Sequence, residues 1–228
     1  MTSTPIELIV LDMAGTTVRD DGVVERAFQR AAESTGVAAD LDWDAALQYV
    51  RDTMGQSKID VFTHLAGGDR VKAEEATAAF EAAYADLIAT EGAEAIPGAE
   101  DLFRAQRAAG RSVILTTGFA PVTRDAIIDA LGWRELIDGA LSPVDAGRGR
   151  PYPDLVLTAA LRARVSSMSA VAVIGDTASD IGSGTSARAG LVIGVTSGAH
   201  DAAVLAGAGA DAVLGSVAEI RDVPALAV

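Results

Sequence analysis

The chain has 228 residues, half of them apolar, and a formal net charge of −14, so it can bury the core of one large domain or of a domain with an insertion. It has no cysteine and only two histidines, which excludes disulfides, thiolate metal sites and a multi-histidine zinc site. The acidic balance argues against a nucleic-acid partner, and the apolar runs are too short to span a membrane, so we expect a cytoplasmic protein that acts on a small molecule.

The stretch 6–17, IELIVLDMAGTT, predicts a buried strand that ends in a carboxylate. Its apolar part is rich in β-branched residues and stops at Asp12, and small and hydroxyl residues follow. The position just past the carboxyl end of a strand is where open α/β sheets bind ligands. We therefore expect Asp12 to lie in a functional site.

Residues 19–95 show helical spacing of apolar residues and no strand signal. This predicts a helical insertion between core segments 1–18 and 96–228, with hinges near 17–22 and 96–98. The predicted helices are 23–35, 43–50, 58–65 with Ser57 as its cap, and 72–90. An apolar stripe at Val23, Ala27 and Phe28 suits either packing inside the insertion or a homodimer formed through it.

Beyond residue 98 the pattern alternates between helix and strand, which predicts a parallel sheet covered on both faces. The predicted helices are 100–109, 122–131, 155–163, 179–189 and 200–206. The predicted strands are 112–117, 140–142, 170–174, 191–195 and 212–214.

Four predicted strand ends carry polar residues, and in a parallel sheet they meet at one edge. They are Asp12, residues 116–118, residues 148–151, and Asp176 with Asp180. A carboxylate can attack phosphorus, and several carboxylates can hold Mg²⁺. Hydroxyls, main-chain amides and an arginine can hold the remaining phosphoryl oxygens. The set therefore predicts phosphoryl or phosphonyl chemistry.

The order and spacing of these motifs resemble the haloacid dehalogenase superfamily of hydrolases over essentially the whole chain. The matching motifs are Asp12 in DMAGTT, Thr117 in ILTTG, Arg150 in GRP, and Asp176 with Asp180 in GDTASD. The resemblance implies an α/β fold: a Rossmann-like core with a parallel sheet and helices on both faces, plus an all-helical cap of the C1 type, here residues 19–95.

The resemblance also implies roles for individual residues. Asp12 would be the nucleophile. The implied Mg²⁺ ligands are Asp12, the Ala14 carbonyl, Asp176 and Asp180, the last either directly or through water. The implied phosphoryl-binding residues are Ala14, Gly15, Thr16, Thr117, Gly118 and Arg150.

Two departures resemble one branch of the superfamily, the phosphonatases (phosphonoacetaldehyde hydrolases). Most phosphatases of the superfamily carry a second aspartate, which protonates the leaving alkoxide, where this chain has Ala14, and a lysine where it has Arg150. Cleavage of a carbon–phosphorus bond expels a carbanion, which needs an electron sink rather than an acid. A protonated imine, formed between an amine and an aldehyde, is such a sink.

Lys58 is one of only two lysines, and it lies in MGQSKID. This stretch is similar to the Met-Gly-x-x-Lys-Ile-Asp of phosphonatases, which implies that Lys58 forms the imine and that Asp12, Lys58, Thr117 and Arg150 are the catalytic residues. Val61 stands where the branch has a histidine, and an expected cap cysteine is absent. Phosphonoacetaldehyde and a related 2-oxoalkylphosphonate both remain candidate substrates.

Two other readings stay open: a phosphomonoesterase of the same fold, and a non-catalytic domain that binds an anion or a partner protein. His64 lies six residues after Lys58, about 120° away around a helix, so we expect it to face elsewhere. We expect His200 to be structural. Phe119 suits either the substrate pocket or local packing.

Overall fold

The computed structural model describes residues 4–228, so the first three residues of the predicted segment 1–18 lie outside the described residues. A sheet of six strands forms the core, and all its neighbouring strands run parallel, in the order β3-β2-β1-β4-β5-β6. The strands are β1 (Leu8–Asp12), β2 (Ser112–Thr116), β3 (Gly139–Leu141), β4 (Val171–Gly175), β5 (Leu191–Val195) and β6 (Ala212–Leu214). The predicted parallel sheet is confirmed.

Both faces of the sheet are covered, and β1 shows why its sequence is apolar throughout. Ile9 and Leu11 pack into one hydrophobic cluster, whereas Leu8 and Val10 pack into another on the opposite face. A central parallel strand buried on both faces cannot alternate apolar and polar residues. The core helices are α5 (Ala99–Ala108), α6 (Pro121–Ala130), α7 (Pro143–Ala146), α8 (Asp154–Ala163), α9 (Ala178–Ser186) and α10 (Ala202–Gly207).

The helical insertion, which we call the cap, has a core of its own aromatic residues. Its helices are α1 (Val23–Thr35), α2 (Trp43–Asp52), α3 (Lys58–Leu65) and α4 (Arg70–Glu91). Phe28 of α1 stacks on Phe62 of α3 with ring centroids 4.4 Å apart, and Phe80 of α4 meets both rings edge-on. The stripe of Val23, Ala27 and Phe28 is buried within the chain, so the intrachain alternative holds for it. A homodimer through another cap surface stays a prediction.

The two linkers between sheet and cap pair with each other. Val18 bridges to Ala95 in antiparallel fashion, and the amide of Arg19 donates to the Glu94 carbonyl (2.8 Å). This pairing lies next to the predicted boundaries at residues 18 and 96. Within residues 4–228, no helix is long and apolar enough to cross a membrane.

Several predicted ends were wrong for local reasons. The Ser57 side chain makes no capping hydrogen bond to α3. Helix α9 ends at Ser186, earlier than predicted, and Arg188 just beyond it is in the left-handed region at φ 57°. Helix α10 begins after Asp201, whose carboxylate accepts from the Val204 amide (2.9 Å), and not at His200. The short α7 was not predicted.

Candidate active site

Asp12 is the last residue of β1 and is 5% exposed. The chain turns directly after it, because the amides of Thr17 and Val18 both donate to the Met13 carbonyl. The Thr17 hydroxyl donates to the Asp12 carbonyl (2.9 Å) and fixes the end of the strand. The predicted carboxylate at the sheet edge is therefore present and rigidly held.

Asp176 follows β4, the neighbour of β1, and its carboxylate is held from two sides. The Thr16 hydroxyl donates to Oδ1 and the Ala199 amide to Oδ2, each at 2.8 Å. Gly15 has φ 86°, and a Cβ there would lie 2.4 Å from Oδ2 of Asp176, so only glycine fits. The amides of Gly15 and Thr16 donate to main-chain oxygens of their own loop. In this structure these two predicted phosphoryl-binding residues therefore shape the loop and orient Asp176.

Three buried carboxylates and one guanidinium form the centre of the site. Oxygens of Asp12, Asp176 and Asp180 all lie within 4.8 Å of one another. Arg150 donates through Nη1 to both Asp12 and Asp180. Burial raises the pKa of Asp176 to about 7, and the neighbouring Asp180 adds to the effect. Burial also raises the pKa of Asp12 well above its usual value, although the Arg150 charge opposes the shift.

This cluster fits a divalent cation. Three buried carboxylates opposite one guanidinium leave an excess of negative charge, which a hard cation with oxygen ligands would balance. The oxygens of Asp180 already accept from Arg150 and from the amide and hydroxyl of Thr177. Asp12 and Asp176 accept hydrogen bonds as well, and each of the three carboxylates could offer one oxygen to the ion.

The remaining motif residues reach the same place. Ala14, Thr117, Gly118 and Arg150 line one small cavity together with Asp12 and Asp176. The amide of Thr117 donates to the Leu141 carbonyl (3.0 Å), and the Thr117 hydroxyl accepts from the Phe119 amide. The Nε of Arg150 is buried and has no hydrogen-bond partner among residues 4–228. The predicted meeting of four strand-end loops is confirmed.

Lys58 is the first residue of α3 and is 7% exposed. Its Nζ lies 5.4 Å from the ring centroids of both Phe80 and Phe119. Burial lowers the pKa of Lys58 to about 8, helped by the Arg150 charge and opposed by nearby carboxylates. At pH 7 roughly a tenth of such an amine is neutral, against about one part in three thousand at its ordinary value.

Three further polar groups lie around the amine. Glu81 of α4 is buried and accepts from the Ala120 amide (3.0 Å) and the Thr123 hydroxyl, so it joins the cap to the start of α6. Asp20 lines the same small cavity as Lys58. The hydroxyl of Tyr84 is buried without a hydrogen-bond partner in the described part of the chain.

The cap closes directly over the core loops. A Cβ on Gly118 would lie 2.4 Å from the Gln56 carbonyl oxygen, and one on Gly149 would lie 2.9 Å from the Cβ of Ser57. The cavity between them has a volume of about 30 Å³, and both Asp12 and Lys58 line it. The predicted juxtaposition of Asp12 and Lys58 is therefore present.

The two histidines have the surroundings that the sequence predicted. His64 is exposed and stacks on Tyr49, with ring centroids 4.0 Å apart, away from Lys58. The amide of His200 donates to the Asp176 carbonyl, and its Nδ1 accepts from the Ala178 amide, so its role is structural. Phe119 fulfils both readings, because it packs against Tyr84 and also lines the cavity.

Sequence reasoning missed Asp20, Glu81 and Tyr84 as parts of the site. The sequence offers one indication for Glu81, because it lies between the apolar residues Phe80 and Tyr84 of α4. A carboxylate buried at such a position needs polar partners. Asp20 precedes α1 in a stretch that reads as a hinge, and nothing in the sequence marks it as facing Lys58.

A family model described as haloacid dehalogenase-like hydrolase matches residues 6–188 of the chain. The chain belongs to this family. A phosphonoacetaldehyde hydrolase from Syntrophobacter fumaroxidans is 29% identical to this hydrolase over an alignment of 220 residues. The alignment covers 86% of this chain and 74% of the relative.

Solved structures of haloacid dehalogenase-like fold are similar over nearly the whole length of this hydrolase. A phosphonoacetaldehyde hydrolase-like protein from Oleispira antarctica aligns with a TM-score of 0.78 and 23% identity, covering 99% of this chain and 95% of that one. A predicted phosphoglycolate phosphatase from Haemophilus somnus aligns with a TM-score of 0.78 and 18% identity, covering 97% and 99%. These two likenesses establish the fold alone.

Proposed function

We propose that this hydrolase cleaves the carbon–phosphorus bond of phosphonoacetaldehyde or a related 2-oxoalkylphosphonate. The observation that carries the proposal is the pairing of Lys58 and Asp12 in the lining of one small cavity. An amine that is buried against two aromatic rings suits imine formation. A carboxylate at the other wall suits attack on phosphorus.

The chemistry divides between the two walls. The neutral amine of Lys58 adds to the aldehyde carbon to give a carbinolamine, whose hydroxyl group takes up a proton and leaves as water, which gives the protonated imine. Asp12 then attacks phosphorus, and the electron pair of the carbon–phosphorus bond moves into an enamine whose nitrogen is that of Lys58. Water hydrolyses the aspartyl phosphate, and hydrolysis of the imine releases the aldehyde.

The groups around phosphorus support this division. The unpartnered Nε of Arg150 and the loop at Thr117 and Gly118 offer donors to the peripheral oxygens. Asp12, Asp176 and the Ala14 carbonyl would hold Mg²⁺ directly, and Asp180 would support it. The ion would supply charge that neutralises the phosphonyl oxygens. Ala14 leaves no acid at the position where an alkoxide would leave.

A borohydride trap tests the imine. Reduction in the presence of phosphonoacetaldehyde should attach the substrate-derived carbons to Lys58, as read by peptide mass spectrometry. Lys58→Arg should abolish the adduct, whereas Lys72→Arg, a partly exposed site on α4, should leave it unchanged. Absence of any adduct in a preparation that releases phosphate from phosphonoacetaldehyde would rule out the imine route.

The second candidate is a phosphomonoesterase of the same fold. It is favoured by the structural likeness to the protein named as a predicted phosphoglycolate phosphatase. Phosphate release from phosphonoacetaldehyde, measured beside a panel of sugar and other small phosphate esters, separates the two. A non-catalytic domain would release phosphate from none of them, and Asp12→Asn would leave its ligand binding intact.

A further inference from the structure

The cavity wall contains a carboxylate that the proposed steps do not use. Besides Asp12 and Asp176, the described residues that line the cavity include Asp20, which comes from the linker that leads into α1. It lies on the amine side of the cavity, where the charge of Lys58 acts on it. Asp20 is therefore outside the cluster that would hold the cation.

Asp20 is held in place at the start of α1. Its Oδ1 accepts from the Val24 amide (3.1 Å), one of the free amides of the first helical turn. Burial raises the pKa of Asp20, and the hydrogen bond from the Val24 amide and the Lys58 charge only partly offset the effect. The side chain is thus fixed by one oxygen and holds a proton more readily than an exposed aspartate does.

The proposed reaction has a step that needs such a group. After the carbon–phosphorus bond breaks, the former phosphorus-bearing carbon belongs to an enamine and must receive a proton. At that moment Lys58 is part of the enamine and Asp12 carries phosphorus. Both oxygens of Glu81 are engaged by Ala120 and Thr123. Asp176 belongs to the carboxylate cluster that would hold the cation, so Asp20 is the remaining carboxylate among the described residues that line the cavity.

We propose that Asp20 is the acid that protonates this carbon, an inference that rests on the proposed function. Its carboxylic acid gives a proton to the enamine carbon, the C=C electron pair forms the new C–H bond, and the protonated imine returns. A water molecule then adds its hydroxyl to the imine carbon and its proton to the Asp20 carboxylate. The resulting carbinolamine collapses to acetaldehyde and the free amine of Lys58, and Asp20 is again protonated.

The reverse of this protonation, removal of a proton from the imine, can be measured with a substrate that contains no phosphorus. Acetaldehyde in D₂O should form the imine with Lys58, and the Asp20 carboxylate should then remove a methyl proton. Wild type should therefore exchange deuterium into the acetaldehyde methyl group, followed by NMR. Lys58→Arg should not exchange above the rate of buffer.

The decisive variants act on Asp20. Asp20→Asn keeps an oxygen to accept from Val24, so we expect an unchanged melting temperature, retained borohydride trapping of acetaldehyde on Lys58, and exchange slowed by about 100-fold. Asp20→Glu should restore part of the rate. Asp21→Asn, at the exposed neighbouring position, should match wild type.

The outcomes separate the two proposals. Exchange at the wild-type rate in Asp20→Asn overturns the role of Asp20 and leaves the imine standing. Loss of trapping together with exchange also overturns it, because Asp20 would then serve the amine and not the carbon. Wild type that neither traps acetaldehyde nor exchanges its protons overturns the imine mechanism itself.

Discussion

The two walls of the cavity are built in different ways. The core wall is charged and held by hydrogen bonds, with Asp12, Asp176 and Arg150 presented by loops at one edge of a parallel sheet. On the cap side, Lys58 lies against the aromatic rings of Phe80 from the cap and Phe119 from the core. The core wall suits a group whose negative charge must be stabilised, and the cap wall suits an amine that must lose its charge.

Burial therefore acts in opposite directions on the two walls. It raises the pKa of Asp176 to about 7, where a cation would be needed to keep the carboxylate ionised. It lowers the pKa of Lys58 to about 8, and the Arg150 charge adds to this effect, which favours the neutral amine. We therefore expect that a substitution in one wall leaves the reaction step at the other wall measurable.

Asp12→Asn should give the largest effect. Phosphate release from phosphonoacetaldehyde should fall by on the order of 10⁴-fold, because the nucleophile to phosphorus is lost. Borohydride trapping of Lys58 should persist, since the cap wall is unchanged. Loss of both activities in a folded variant would contradict the independence of the two walls.

Gly118→Ala should keep the cap from closing. The new Cβ would lie 2.4 Å from the Gln56 carbonyl oxygen, so cap and core must separate locally. Because misplaced reacting groups are costly, kcat/KM should fall by about 100-fold with little change in melting temperature. The matched control is Gly139→Ala in β3, where a Cβ would meet no atom within 4 Å, and it should behave as wild type.

Glu81→Gln should shift the pH dependence of trapping. The Glu81 charge raises the pKa of Lys58, so its removal should lower that pKa further from about 8. The rising limb of trapping against pH should then move to lower pH by roughly half a unit to one unit. Glu75→Gln, at an exposed site on the same helix, should leave the profile in place. A shift to higher pH would refute this account of the amine.

Tyr84→Phe should give the smallest effect, and on stability. The buried hydroxyl has no partner among the described residues, so its removal relieves an unsatisfied polar group. The free energy of unfolding should stay equal or rise by up to about 1 kcal/mol in urea denaturation. Tyr49→Phe on the cap surface serves as the control. A clear loss of stability would mean that the hydroxyl is bonded in solution.

The core wall was more predictable than the cap wall, for a physical reason. A strand end fixes where its next residue lies, so Asp12, Thr117 and Asp176 could be placed together from the strands. Arg150 lies beyond α7 and was placed there by its motif. Helix ends were less certain, because α9 and α10 depend on a left-handed residue at Arg188 and a capping carboxylate at Asp201. The partners of Lys58 depend on how four helices pack, which periodicity does not give.

The sequence by itself determined the α/β class and the helical insertion, and it predicted the phosphorus-site motifs and the choice of Lys58 over Lys72. These follow from local patterns and motif spacing. Only the tertiary structure decided that Thr16 orients Asp176, that Glu81 joins cap to core, and that Asp20 faces the amine. Those contacts join residues far apart in the chain, and their partners are chosen by packing and burial.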